Sequence, residues 1–192
     1  MTKSELRQIY LRKRADISTG ELRAASGCVA GLFFGSVDLA DARILHCFIP
    51  IAKFHEIDTS LIYQRIWREF PNVRTGAPRT DLVSGELEHA VFDAETKLSE
   101  NSWGIREPAD SVLIKPSEID IVLVPLLCFD KAGHRVGYGK GFYDRFLAKC
   151  RPDCLKIGLS YFPPTERIDG ISGHDVRLDR CIATDGVVTF EN

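Results

Sequence analysis

The run Ile119–Leu127 (IDIVLVPLL) limits the fold of this chain more than any other stretch. It is almost continuously apolar and lacks the alternation of a half-solvated strand. It therefore reads as a central strand covered on both faces, as in a parallel sheet. Leu155–Phe162 reads the same way, and Arg43–Ile49 is a buried strand that ends at Pro50. Between these strands lie helix signals. Thr2-x-x-Glu5 and Ser18-x-x-Glu21 are capping-box patterns. Leu6, Ile9, Tyr10 and Lys13 follow the first at helical spacing, and Leu22, Ala25, Val29, Leu32 and Phe33 follow the second. Asp58 or Thr59 caps a third helix carrying Leu61, Ile62, Ile66 and Phe70, and a fourth runs from Phe142 to about Cys150. Val73–Ala77, the alternating Leu87, His89 and Val91, and the pair Ile182–Thr184 and Val187–Phe190 around Asp185-Gly186 are shorter strands. Ser99–Pro116 reads as a loop. Strands alternating with helices give an α/β fold with an at least partly parallel sheet. With no repeat or long linker in its 192 residues, the chain is expected to form one domain over 1–192.

Charge and cysteine content narrow the function. Twenty-five basic against 27 acidic residues leave a formal charge of −2, which argues against a general nucleic-acid or membrane-surface binder. The first residues carry no signal-like apolar core, and no apolar run reaches the length of a membrane span. The six cysteines stand at irregular spacings, so reduced thiols and a cytoplasmic location are expected. Cys150 and Cys154 can share a helix face, but no second pair completes a zinc set.

The chemistry concentrates in Val124–Lys149 (VPLLCFDKAGHRVGYGKGFYDRFLAK), a strand, a loop and a helix. In open α/β sheets, ligands bind at such strand ends. Gly137, Gly139 and Gly141 alternate with Tyr138 and Lys140, and Lys131, Arg135 and Arg145 surround them. Bare backbone N–H groups, a helix start and nearby cations suit a polyphosphate. Neither the G-x-x-x-x-G-K-[ST] nor the G-x-G-x-x-G pattern fits, and a tight strand–helix connection explains the glycines equally well. Asp144 is either a first-turn carboxylate, favoured by the helix dipole or capping the helix, or a magnesium ligand. Asp175 and Asp179, four apart, offer a second carboxylate.

These residues are also the ground of a resemblance. The central segment is similar to the V-P-x-x-x-F-D, G-x-R-[LV]-G-x-G-x-G and Y-D-R elements of the 5-formyltetrahydrofolate cyclo-ligase family. Lys3-x-x-Leu6-Arg7, Glu56–Thr59, Gly104–Pro108 and His174–Asp179 match its other elements in order along nearly the whole chain. Thr75–Asp93 matches poorly, and Phe142 stands where many relatives carry tyrosine.

The resemblance implies a compact domain with a mixed, mostly parallel Rossmann-like sheet flanked by helices. It also implies an ATP- and Mg²⁺-dependent ligase that turns 5-formyltetrahydrofolate into 5,10-methenyltetrahydrofolate through an N5-iminium phosphate, with ATP and reduced folate as partners. Nucleic acid, membrane and an obligate protein partner have no part in it. By the same resemblance Lys3, Ser4, Glu5, Leu6 and Arg7, with Arg135, Val136, Gly137, Tyr138, Gly139, Lys140, Gly141, Phe142 and Tyr143, hold ATP. Arg7, Ile51, Glu56, Tyr138, Gly139, Lys140, Gly141 and Phe142 line the folate site, and Lys140, Arg135 and Tyr143 are the catalytic set. Asp144 and Asp175 match the metal positions. Glu56 suits the N–H groups of a pterin, whereas Trp103 reads as core packing. A divergent relative acting on another small molecule, or a nucleotide- or RNA-binding module, are the competing readings.

Overall fold

The computed structural model describes residues 1–81, 84–109 and 111–191. Seven strands form its main sheet. In spatial order they are β11 (Gly186–Thr189), β10 (Arg180–Ala183), β9 (Leu155–Leu159), β6 (Ile121–Pro125), β1 (Ile44–His46), β2 (Arg74–Asp81) and β3 (Glu86–Val91). The five inner strands are parallel, and β3 and β11 close the two edges antiparallel.

The continuous apolar run occupies the middle of this sheet, where both faces are covered. Ile121 and Leu123 face Val29 and Phe33 of α2 (Thr19–Ser36) and Ile62 and Ile66 of α3 (Ser60–Glu69). Val122 and Val124 point the other way, toward Phe146 and Leu147 of α4 (Phe142–Leu147). Each fully buried side chain of this size contributes roughly 1.5–3 kcal/mol of transfer free energy. Gly158 in β9 is required by the same packing, because a Cβ there would lie 2.6 Å from Leu126 and 2.7 Å from Leu178.

Both capping boxes form as the sequence indicates, at Thr2–Glu5 and Ser18–Glu21. Thr59 is the N-cap residue of α3, but its hydroxyl donates to the Phe48 carbonyl, and Asp58 accepts from the Ser60 N–H instead. α1 (Lys3–Ala15) packs Leu6 and Tyr10 onto Leu127, Cys128 and Val136 of a small hairpin, β7 (Cys128–Phe129) and β8 (Arg135–Val136). Thr2 bridges to Asp169, whose carboxylate holds the Met1 amino group at 2.8 Å. Among the described residues, no helix is long and apolar enough to cross a membrane.

Several boundaries differ from expectation. β1 ends at His46 rather than Ile49, although the Cys47 N–H still reaches the Gly76 carbonyl. β6 and β9 are each shorter than their apolar runs, and α4 stops at Leu147 before a looser turn to Cys150. Ser99–Pro116 is not simply a loop. It contributes to a hairpin of β4 (Leu98–Glu100) and β5 (Arg106–Pro108) that packs beside β2. The weak candidate Val73–Ala77 is part of an eight-residue strand, because pairing with β3 sustains it where composition does not.

The connections position the site. From β1 the chain passes through α3 to β2 on one side, and from β6 through α4 to β9 on the other. Neighbouring strands whose crossovers diverge leave a crevice outside their carboxyl ends.

Candidate active site

That crevice is a cavity of about 790 Å³, a usual size for a small-molecule site. One end is cationic. The loop Gly137–Gly141 runs between β8 and α4, with Gly139 and Gly141 at φ +88° and +68°, values open mainly to glycine. A Cβ on Gly139 would sit 3.1 Å from the guanidinium carbon of Arg7. The bare backbone therefore also makes room for α1. Arg7 Nε donates to the Gly137 carbonyl at 2.9 Å, and Lys140 stands exposed on the cavity wall.

Arg135 is buried behind the loop, with 6% of its side chain exposed. Its guanidinium donates to Asp144 Oδ1 at 2.8 Å and to the Val176 carbonyl. Burial lowers the Arg135 pKa, opposed by the charges of Asp144 and Asp175. The Val176 N–H also donates to Asp144 Oδ1, at 3.2 Å. Gly141 is the N-cap residue of α4, so Asp144 is a partner of Arg135 and not a cap. Asp175 accepts from Lys3 Nζ at 2.5 Å and from the Ser172 N–H at 2.6 Å. Burial alone would raise the Asp175 pKa, but Lys3 and Ser172 outweigh it and hold the carboxyl below its ordinary value.

The other end is aromatic and apolar. Phe54, just after β1, stacks on Tyr138 with ring centroids 4.8 Å apart. Ile51 and Glu56 come from the same segment. Glu56 is 8% exposed, and its oxygens accept from the Tyr138 hydroxyl at 2.6 Å and the Ile51 N–H at 2.8 Å. Burial raises its pKa against the lowering pull of Tyr138, Ile51 and Arg14. Burial also raises the pKa of Tyr138 and of Tyr143. The Tyr143 hydroxyl is buried without a hydrogen-bond partner among the described residues, although the residue lines the cavity.

The structure thus brings Lys3, Arg7, Ile51, Glu56, Asp144, Asp175 and the whole Arg135–Tyr143 segment to one cavity. Ser4, Glu5 and Leu6 do not line it. Ser4 is exposed on α1, Glu5 is engaged by the Thr2 cap, and Leu6 is buried in the core beneath the helix. Trp103 is not a core residue either. It is 45% exposed on the cavity wall, 6.3 Å from the Phe142 ring.

The profile of the 5-formyltetrahydrofolate cyclo-ligase family matches residues 1–181. The chain belongs to that family. A probable cyclo-ligase of Caenorhabditis elegans is 30% identical over 98% of this chain and 96% of its own. The Mycoplasma pneumoniae cyclo-ligase is 27% identical over 84% and 86%, respectively. Matches to the Mycoplasma genitalium and Haemophilus influenzae cyclo-ligases are more local, covering 29% and 58% of those proteins. The solution structure of Aquifex aeolicus 5,10-methenyltetrahydrofolate synthetase superposes with a TM-score of 0.85 at 27% identity, over 100% of this chain and 94% of that one. Cyclo-ligases are ATP-dependent enzymes that cyclise 5-formyltetrahydrofolate to 5,10-methenyltetrahydrofolate.

Several residues of this cavity carry no motif in the sequence. Arg14 is buried, and its guanidinium donates to the Tyr138 hydroxyl at 3.0 Å and to the Leu126 carbonyl. Its signal was available: Leu6, Tyr10 and Arg14 follow at i, i+4 and i+8, so the arginine continues a buried stripe. Pro78, Thr80 and Leu87 also line the cavity, from the stretch that matches the family pattern poorly. So does Glu107 of the Gly104–Pro108 element.

Proposed function

We propose that this cavity binds ATP at the glycine loop and 5-formyltetrahydrofolate against the aromatic end, and joins N10 to the formyl carbon between them. One observation carries the reading. A glycine-rich loop with cations around it opens, within a single cavity, onto apolar and aromatic walls that fit a flat ring system.

The chemistry explains why both ends must meet. An amide-type formyl oxygen leaves poorly, so it first attacks the γ-phosphate, releasing ADP and giving an N5-iminium phosphate. N10 then attacks the activated carbon, loses its proton, and phosphate departs. Phosphoryl transfer needs positioning and charge neutralisation more than covalent help from the protein. Val136–Gly141 supply N–H groups, Lys140 and Arg135 supply charge to the transferring phosphoryl group, and Lys3 and Arg7 approach from α1. Tyr143 offers its partnerless hydroxyl to a ligand oxygen. Ile51, Glu56, Tyr138 and Phe142 serve the folate side.

Asp144 and Asp175 fit a Mg²⁺ ion. Both line the cavity beside the loop, and Mg²⁺ usually takes one or two protein carboxylates together with phosphate oxygens. Their present partners, Arg135 and Lys3, are themselves suited to phosphate, so the two sets of charges can exchange. Bound there, Mg²⁺ would neutralise charge on the β- and γ-phosphates. The reading takes residues 1–192 as one catalytic domain in the reducing cytoplasm, in keeping with six free cysteines. Its partners are ATP and the reduced folate, without nucleic acid, membrane or an obligate protein.

The test is near-ultraviolet absorbance with 5-formyltetrahydrofolate and MgATP. Methenyltetrahydrofolate should accumulate, and should fail to do so when either ATP or magnesium is withheld. Folded protein that binds ATP but forms no product would reassign the cavity to another substrate.

A further inference from the structure

We propose that Glu107 is the specificity residue for the pterin ring, its carboxylate accepting the N–H donors of the 2-amino-4-oxo edge. The inference rests on the folate reading above and deepens it. Glu107 lies on β5 with 7% exposure, yet it borders the cavity. Thr80 on β2 fixes it from across the wall. The Thr80 N–H and hydroxyl both donate to Oε1, at 2.8 and 2.7 Å. Two donors fill the lone-pair directions of that oxygen. Oε2 receives no donor among the described residues.

That oxygen is not sealed from solvent, and Glu107 lines the cavity, so Oε2 can accept an N–H that a ligand brings as a charge-assisted hydrogen bond. The neighbours restrict what that ligand can be. Pro78, Leu87, Trp103 and Ile105 line the same cavity with apolar surface. A carboxylate among flat apolar walls complements the edge of a planar heterocycle that presents adjacent amino and ring N–H groups. Glu56, the residue that sequence reasoning assigned to the pterin, is differently placed. Each of its oxygens already holds a donor from the protein, Tyr138 on one and Ile51 on the other. Glu56 therefore positions the loop tyrosine, while Glu107 keeps a whole oxygen without a protein donor among the described residues.

The test compares wild type with Glu107→Gln on two substrates, 5-formyltetrahydrofolate and its 2-desamino-2-methyl analogue, with ATP kinetics alongside. Turnover of 5-formyltetrahydrofolate by wild type establishes the underlying reaction independently, and its absence would sink the folate reading itself. Given that turnover, Glu107→Gln should raise the folate KM about ten- to a hundredfold, the size of a hydrogen bond to a charged group. The KM for ATP should stay within about twofold, since Glu107 touches none of the loop. Wild type should prefer the 2-amino substrate by a similar factor, and the variant should lose that preference. Should Glu107→Gln not fold, Thr80→Val, which frees the carboxylate to turn, should erode the same preference to a lesser degree. A variant that still discriminates the two substrates as wild type does, or that loses ATP and folate affinity together, would overturn the proposal.

Discussion

The two ends of the cavity are built in opposite ways. The cationic end is nearly one piece of chain, Arg135–Asp144, completed by Lys3 and Arg7 from α1 and Asp175 from the carboxyl side. The aromatic end is assembled from separated pieces: Ile51–Glu56 after β1, Pro78 and Thr80 on β2, Leu87 on β3, and Trp103–Glu107 around β5. A phosphate site needs backbone N–H groups in a fixed curve, which a short glycine-rich segment provides alone. A flat ring needs walls on both sides, and only tertiary structure can supply those.

The predictions test whether that division is real. Lys140→Ala should produce the largest loss, a fall in kcat of about a hundred- to a thousandfold, comparable with removal of one preorganised electrostatic contact. Its exposure means the melting temperature should hardly change, and near-normal turnover would remove it from the phosphate cradle.

The support beneath the loop is the next largest. His46 and His89 are buried together, His89 Nδ1 lies 3.1 Å from His46 Nε2, and the His89 ring stacks on Phe146 of α4. Burial, then the nearby Lys149 charge, lowers the His89 pKa to about 4, and burial holds His46 well below its ordinary 6.5. The unfolded chain therefore binds more protons than the native one as pH falls from 6.5 toward 4. Stability should be fully present above that window and decline through it, by about 3 kcal/mol for His89 alone. Melting temperature against pH measures this, and His89→Phe should flatten the slope; an unchanged slope would place the acid sensitivity elsewhere.

Two substitutions then probe the ends separately. Asp144→Asn should raise the magnesium concentration for half-maximal rate about tenfold, the scale of one ion-to-carboxylate contact. An unaltered requirement would leave Asp144 as the holder of Arg135 only. Glu56→Gln should raise the folate KM several-fold, on the order of one lost hydrogen bond to a charge, and the ATP KM less. The reverse ratio would mean that the Glu56–Tyr138 contact serves the phosphate end. Trp103→Ala should have the smallest effect, roughly a threefold rise in folate KM, as for one partly exposed ring contact.

The same division explains what could be read from the chain in advance. The central strands, both capping boxes and the glycine loop carry local signals, and each forms there, the strands over shorter spans than their apolar runs. The β7–β8 and β4–β5 hairpins were passed over because two- and three-residue strands have no periodicity of their own. Trp103 was misplaced because a large aromatic residue usually means core, and nothing local shows that its neighbours form a cavity wall. Glu107 and Thr80 sit 27 positions apart and become one unit only through the packing of β5 beside β2. Asp144 keeps its place in the first turn of α4, but its pairing with Arg135 depends on a residue nine positions earlier that only the fold brings alongside.

The pairing of Lys3 with Asp175, 172 positions away, also bears on how the protein is made. During synthesis the glycine loop emerges long before Asp175, while α1 waits with its cations unmatched. The Lys3–Asp175 contact therefore forms only after β9 has been made. A nascent chain that has already made β1, β2, β6 and β9 still lacks the carboxylate that pairs with Lys3.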